Sequence, residues 1–231
     1  MKINNGPFLI PCLLLILMTL FLSPVMTGPA IAEGERYDRL EVSLPVDAGE
    51  TIKAEESGEK TSEIKTEVIV SAFTRVNRSL DRSTATVYAA HVLEASGEFG
   101  VHPFMIASLI IRESTVKQNA RSRHAYGLMQ INWKAHRASL KKAFSAIQTL
   151  DDLLQPRNNI LAGTWIFSWY LKSSGGDMDQ ALSKYLGRTG KKYVARVMGG
   201  FQEMLKDQER YQKKYGSDPG KRTASIAFAV E

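Results

Sequence analysis

Glu113 is the residue whose placement points most directly to chemistry. It follows Ile106 by seven residues and Ile110 by three, so helical geometry puts it on the same stripe as those isoleucines. An ionised carboxylate on an apolar face is costly to bury; it pairs, leaves for solvent, or becomes partly neutral. Two readings follow. Either the helix ends at Glu113 and the side chain exits or pairs with a base such as Arg112, or an apolar pocket raises its pKa and makes it a general acid. No Asp or Glu lies between Glu113 and Asp151, and Asp151-Asp152 reads as a helix cap. The second carboxylate that most glycosidases hold about 5–9.5 Å from the first therefore has no local candidate. Ser114 reads as a helix-end hydrogen-bonder rather than a nucleophile, because no His–Asp pair is suggested for it. None of the four histidines (His91, His102, His124, His136) has an HExxH or other ligand-like spacing, so no metal site is expected.

The elements that must position Glu113 read as helices. Tyr88, Val92, Ala95 and Phe99 share one helix face, with Gly100 closing it. His102-Pro103 opens a second helix through Glu113, with Pro in its first turn. A third, about Pro156 to Leu171, is apolar nearly all round and so is expected to be central. A fourth carries Met178, Ala181, Leu182 and Tyr185 on one side after an Asp177 cap. A fifth runs from about Lys191 to Arg210 with Val194, Val197, Met198, Phe201, Met204 and Leu205 inward. No convincing strand alternation follows Ser83, so the fold class is mainly α, with the helical domain spanning residues 83–210.

The flanks differ from that domain. The chain has 231 residues, 44% of them hydrophobic and 23% charged, which excludes a wholly disordered chain, a collagen and a multi-span membrane protein. Residues 1–32 read as a signal peptide. Lys2 is followed by an apolar run from Phe8 to Leu22, then by Pro24 and the small-x-small site Ala30-Ile31-Ala32. The alternative is an uncleaved anchor facing the periplasm. Cys12, the single cysteine, lies inside the apolar run, so a disulfide framework is excluded and a processed chain has no thiol. Residues 33–82 hold 12 acids and 8 bases. Within them Asp47–Ser62 reads as a flexible acidic spacer, followed by a strand-like Val68-Ile69-Val70. Residues 211–231 read as a basic, disordered tail. From Ser83 onward there are 21 bases and 12 acids, and between Ser114 and Leu150 there is no acid at all. That stretch reads either as a solvated surface or as an attractor of an anionic polymer. The export signal argues against nucleic acid as that polymer.

Four ordered blocks carry a resemblance. They are Glu113-Ser114; Ala120-Arg121-Ser122 with Ala125-Tyr126-Gly127-Leu128-Met129-Gln130-Ile131-Asn132; Pro156, Asn159-Ile160 and Gly163; and Ala181-Leu182 with Tyr185-Leu186-Gly187, then Tyr193-Val194 and Val197. Over about Tyr88 to Leu205 this order resembles the catalytic domain of the soluble-lytic-transglycosylase (SLT) family, which implies a lysozyme-like helical fold acting on peptidoglycan. The resemblance implies that Glu113 is the catalytic acid/base and that Ser122 orients it. It implies that Gly127, Leu128, Met129 and Gln130 form the loop lining the sugar groove, with Gln130 a direct polar contact and Met129 packing. It also implies that Tyr185 reaches back toward Glu113. The chain departs from the family pattern in three places: the loop from Ser122 to Gly127 is one residue shorter, with His124 where glycine is common. Tyr185-Leu186-Gly187 lacks an asparagine, and Asn132 stands where methionine is frequent. Gly-Leu-Met-Gln-Ile-Asn is also similar to muramidases that accompany conjugation and secretion machines, which would make wall-spanning transport machinery a partner.

The missing second carboxylate fits the chemistry that the resemblance implies. One acid suffices if the sugar supplies its own nucleophile: the N-acetyl group of MurNAc assists departure, and its C6 hydroxyl then attacks C1. The expected product is a 1,6-anhydro-MurNAc end, formed without metal or cofactor. A hydrolytic muramidase of the same fold and a non-enzymatic murein-binding scaffold are the competing expectations.

Overall fold

The computed structural model describes residues 48–215, with side chains from residue 60. The first helix, α1, occupies Ala48–Val76. This corrects the expectation of a spacer followed by a strand-like piece. Ile64, Val68, Ile69, Ala72 and Phe73 recur at helical spacing, and all are buried, Ile69 and Phe73 completely. Val68-Ile69-Val70 is β-branched and locally strand-like, but packing against α2 (Arg82–Phe99), α3 (Pro103–Ser114) and α8 (Lys191–Tyr215) overrides that preference. The helical body therefore begins before residue 83. The leader at 1–32, residues 33–47 and tail residues 216–231 lie outside the described residues; tail residues 211–215 continue α8.

The other helices start and stop where local chemistry dictates. Asp81 caps α2, its carboxylate accepting from Thr84 N at 2.8 Å, and Gly100 ends it at φ +66°. The Nδ1 of His102 accepts from Phe104 N at 3.2 Å to cap α3, and Pro103 fills its first position. Every residue from Pro103 to Ile110 is buried. α3 is thus as enclosed as the expected central helix, α6 (Pro156–Ser173). The Ser108 hydroxyl of α3 donates to the carbonyl of Val197 at 2.6 Å, locking α3 to α8. α7 (Met178–Leu186) is capped by Asp177, as its sequence predicts, and packs on α6.

Between α3 and α6 the chain forms elements that periodicity did not predict. Two-residue strands, β1 (Ala125–Tyr126) and β2 (Ile131–Asn132), pair antiparallel with Ala125 opposite Asn132. α4 (Trp133–Ala143) follows, capped by Asn132, and α5 (Leu150–Leu154) opens on a reciprocal capping box between Thr149 and Asp152. The fold is mainly helical. Among the described residues no helix is long and apolar enough to cross a membrane.

Candidate active site

The C-terminal turn of α3 delivers Glu113. The helix stops there because Thr115 and Val116 both take left-handed conformations, at φ 51° and 58°. Such conformations cost non-glycine residues about 1–2 kcal/mol each. The Ser114 hydroxyl is buried and donates back to Ile110 O at 3.0 Å, the helix-end role its context predicts. Glu113 is half-buried, with Ile106 and Ile110 of its own stripe fully buried. It neither exits to solvent nor forms an ion pair with Arg112. Its Oε1 accepts a 2.5 Å hydrogen bond from the Tyr193 hydroxyl of α8. Arg112 stacks instead on the Tyr193 ring, its guanidinium carbon 5.6 Å from the centroid. Burial raises the Glu113 pKa above the usual carboxylate value; the Tyr193 hydrogen bond and the Arg112 charge pull the other way without cancelling it. Burial, then the Glu113 charge, push the Tyr193 hydroxyl far above its ordinary pKa, so it remains a donor.

The loop facing Glu113 is held from behind by Asn159. This fully buried amide accepts from Met129 N at 2.8 Å and donates to Tyr126 O at 3.1 Å and Leu153 O at 3.0 Å. Gly127 sits at φ +81°, and a Cβ there would collide with the Asn159 amide. Glycine is therefore required twice, by conformation and by space. Leu128 and Met129 are fully buried, and Met129 lies on Gly163, where a Cβ would come within 2.5 Å of the sulfur. Met129 is packing, and Gly127, Leu128 and Met129 form the loop's buried back.

Gln130 is the member of this loop that reaches the cleft. It adopts φ 47°, and its Nε2 donates to Ala120 O at 2.9 Å and Gly127 O at 3.0 Å. Both amide hydrogens are thus engaged with backbone, leaving Oε1 as the atom free to accept from a ligand. Tyr185 enters the same space from α7, but its hydroxyl donates to Met129 O at 2.8 Å. It therefore secures the loop rather than bonding Glu113, although it lies close enough for the Glu113 charge to help raise its pKa, after the larger effect of burial.

Glu113, Ser122, Gln130 and Tyr185 thus line one cleft of about 390 Å³. Ser122 shares the wall, but the side-chain bond Glu113 makes is to Tyr193. Three contributors lay outside the residues singled out for the site. Tyr193 orients the acid. Asn159 fixes the loop. His136 lines the cleft with Nδ1 buried and without a hydrogen-bond partner, and its burial lowers its pKa, which favours the neutral ring. Tyr193 and Asn159 stand in the quoted sequence blocks, but no local spacing ties them to Glu113, 80 residues before Tyr193. Glu113 is, among the described residues, the one carboxylate in the cleft wall. Among the described residues no group of three His, Cys, Asp or Glu side chains could hold a metal ion.

Residues 91–208 match the family described as Transglycosylase SLT domain, a span that includes Glu113, the loop, Asn159, Tyr185 and Tyr193. No solved structure matches the chain.

Proposed function

Because the chain belongs to the transglycosylase SLT domain family, whose members are lysozyme-like enzymes that cleave peptidoglycan, we propose that it is a lytic transglycosylase. In this reading it cuts the MurNAc–GlcNAc β-1,4 bond with Glu113 as acid and then base. One observation carries this reading: among the described residues the cleft wall holds a single carboxylate, and burial raises its pKa, which favours its protonated form. The Glu113 proton passes to the glycosidic oxygen as the C1–O bond breaks. The N-acetyl oxygen of MurNAc supports the developing charge at C1. The ionised Glu113 then takes the proton of the C6 hydroxyl as O6 bonds to C1. The 1,6-anhydro ring closes, and no water is consumed. Tyr193 donates to Glu113 in both protonation states and stabilises the ionised one, which is the intermediate's state. Gln130 Oε1 is placed to accept from a sugar hydroxyl or amide. The leader-like N-terminus supports action in the periplasm, where the substrate lies.

Digestion of purified peptidoglycan in ¹⁸O-labelled water tests the chemistry. The proposal expects anhydro muropeptides, one water lighter than hydrolysis products and free of label at C1. Reducing MurNAc ends carrying ¹⁸O would instead assign the cleft to a hydrolytic muramidase.

A further inference from the structure

The segments that bring Glu113, Ser122, Ala135-His136 and Gly187 to the cleft each carry a base beside the lining residue, and Lys184 lines the cleft itself. Arg112 precedes Glu113, Arg121 and Arg123 flank Ser122, Lys134 and Arg137 flank Ala135-His136, and Arg188 follows Gly187. All six are exposed. None forms an ion pair among the described residues. The ion pairs lie elsewhere, joining Arg75 to Glu203 and Asp207, Arg82 to Glu67, Arg157 to Glu94, and Arg210 to Asp207. Among the described residues no acid other than Glu113 lines the cleft or adjoins a lining residue in sequence. The paired bases thus lie on α1, α2, α6 and α8, and the six beside the cleft-lining residues have no ion-pair partner among the described residues. Arg112 and Arg121 also lie over the Tyr193 and Tyr126 rings, but a cluster of exposed like charges costs self-repulsion, and attraction of an opposite charge offsets it.

The sugar backbone of peptidoglycan offers no such charge, since its hydroxyl and N-acetyl groups are neutral. The anionic groups sit on the substituents, the peptides attached to the lactyl group of each MurNAc, which end in free carboxylates. Building on the proposed function, we propose that the six rim bases bind the stem-peptide carboxylates, so that the cleft selects glycan strands by the charge they carry beside the sugar chain. The cleft floor reads the sugar and the rim reads the peptide.

The test separates binding from turnover. Soluble glycan strands with uncrosslinked stem peptides are compared with the same strands after their carboxylates are capped as neutral amides. Affinity is measured with the full chain carrying Glu113→Gln, and cleavage with the wild type. An exposed ion pair contributes roughly two- to fivefold in affinity, so capping should weaken binding on the order of tenfold or more. Salt should erase that difference, because the Debye length falls from about 10 Å at 0.1 M to about 3 Å at 1 M. Arg121→Gln/Arg123→Gln/Lys134→Gln/Arg137→Gln, which leaves only Arg112 and Arg188 of the six, should lose most of that preference. Lys134→Gln/Arg137→Gln alone, both on the exposed side of α4, should lose part of the preference even if the quadruple variant folds poorly. Equal affinity of the wild-type rim for native and capped strands at low salt would overturn the inference. Selective binding without any cleavage by the wild type would uphold the rim and refute the transglycosylase instead.

Discussion

Replacing Tyr193 with phenylalanine removes one oxygen and leaves the ring on which Arg112 stacks. The lost atom is the donor of the 2.5 Å bond to Glu113. Hydrogen bonds to charged groups contribute about 1.5–3 kcal/mol. If that is expressed mainly where Glu113 is ionised, the rate should fall roughly 10- to 100-fold. The pH profile should move as well. Burial raises the Glu113 pKa and the Tyr193 hydrogen bond opposes it, so the variant's carboxyl must rise further. Since the first step needs the protonated acid, the high-pH limb of kcat/KM should shift upward. Stability follows the same sign. A carboxyl whose folded pKa exceeds its unfolded value contributes stability below the unfolded pKa and loses it as pH rises through the folded one. The variant should therefore keep losing stability to a higher pH than the wild type. Initial rates across pH on solubilised peptidoglycan, with melting curves at each pH, read both effects. A variant with wild-type rate and an unmoved or lowered alkaline limb would refute the claim that Tyr193 sets the acid.

Two further perturbations test the frame. Phe73→Ala should destabilise by about 3–5 kcal/mol, as truncation of a fully buried phenylalanine does; a melting temperature unchanged from wild type would return α1 to the status of an appendage. Asn159→Ala strands the buried Met129 N–H, at a cost of about 1–3 kcal/mol for each unsatisfied group. It should also lower activity beyond what stability explains, because the Gly127–Gln130 loop loses its anchor; full activity in the folded fraction would show that the loop holds itself.

Five helices were legible because their cues are local. Pro103 and Pro156 open helices, Gly100 closes one, Asp177 caps one, and apolar spacing marks the buried faces. α1 was misread because an acidic, small-residue stretch runs into Val68-Ile69-Val70, and its helical stripe acquires meaning only against α2, α3 and α8. α4 was missed because it is short and strongly basic and buries only Leu140 fully, so few apolar residues mark its inner face. At the site, Glu113 stood out because a carboxylate on an isoleucine stripe is anomalous. Tyr193 and Asn159 did not, since a tyrosine on an apolar helix face and an asparagine near a helix start are both ordinary until the partner is seen. Tyr185 shares the cleft with the acid, and its bond to the Met129 carbonyl likewise becomes visible only once the loop is folded beside it.

The account depends most on Glu113, and Glu113→Gln tests it most directly. Glutamine keeps the shape and can still accept from Tyr193, but it can neither donate a proton to the leaving oxygen nor accept one from the C6 hydroxyl. Positioned acid–base catalysis contributes on the order of 10²–10⁴ in rate, and here one group serves both steps. Clearance of a peptidoglycan suspension should therefore fall to near background. Thermal melting should remain at or above the wild-type value, because a half-buried carboxyl with a raised pKa is replaced by a neutral amide. A folded Glu113→Gln protein that clears the suspension at the wild-type rate would contradict the assignment of the acid.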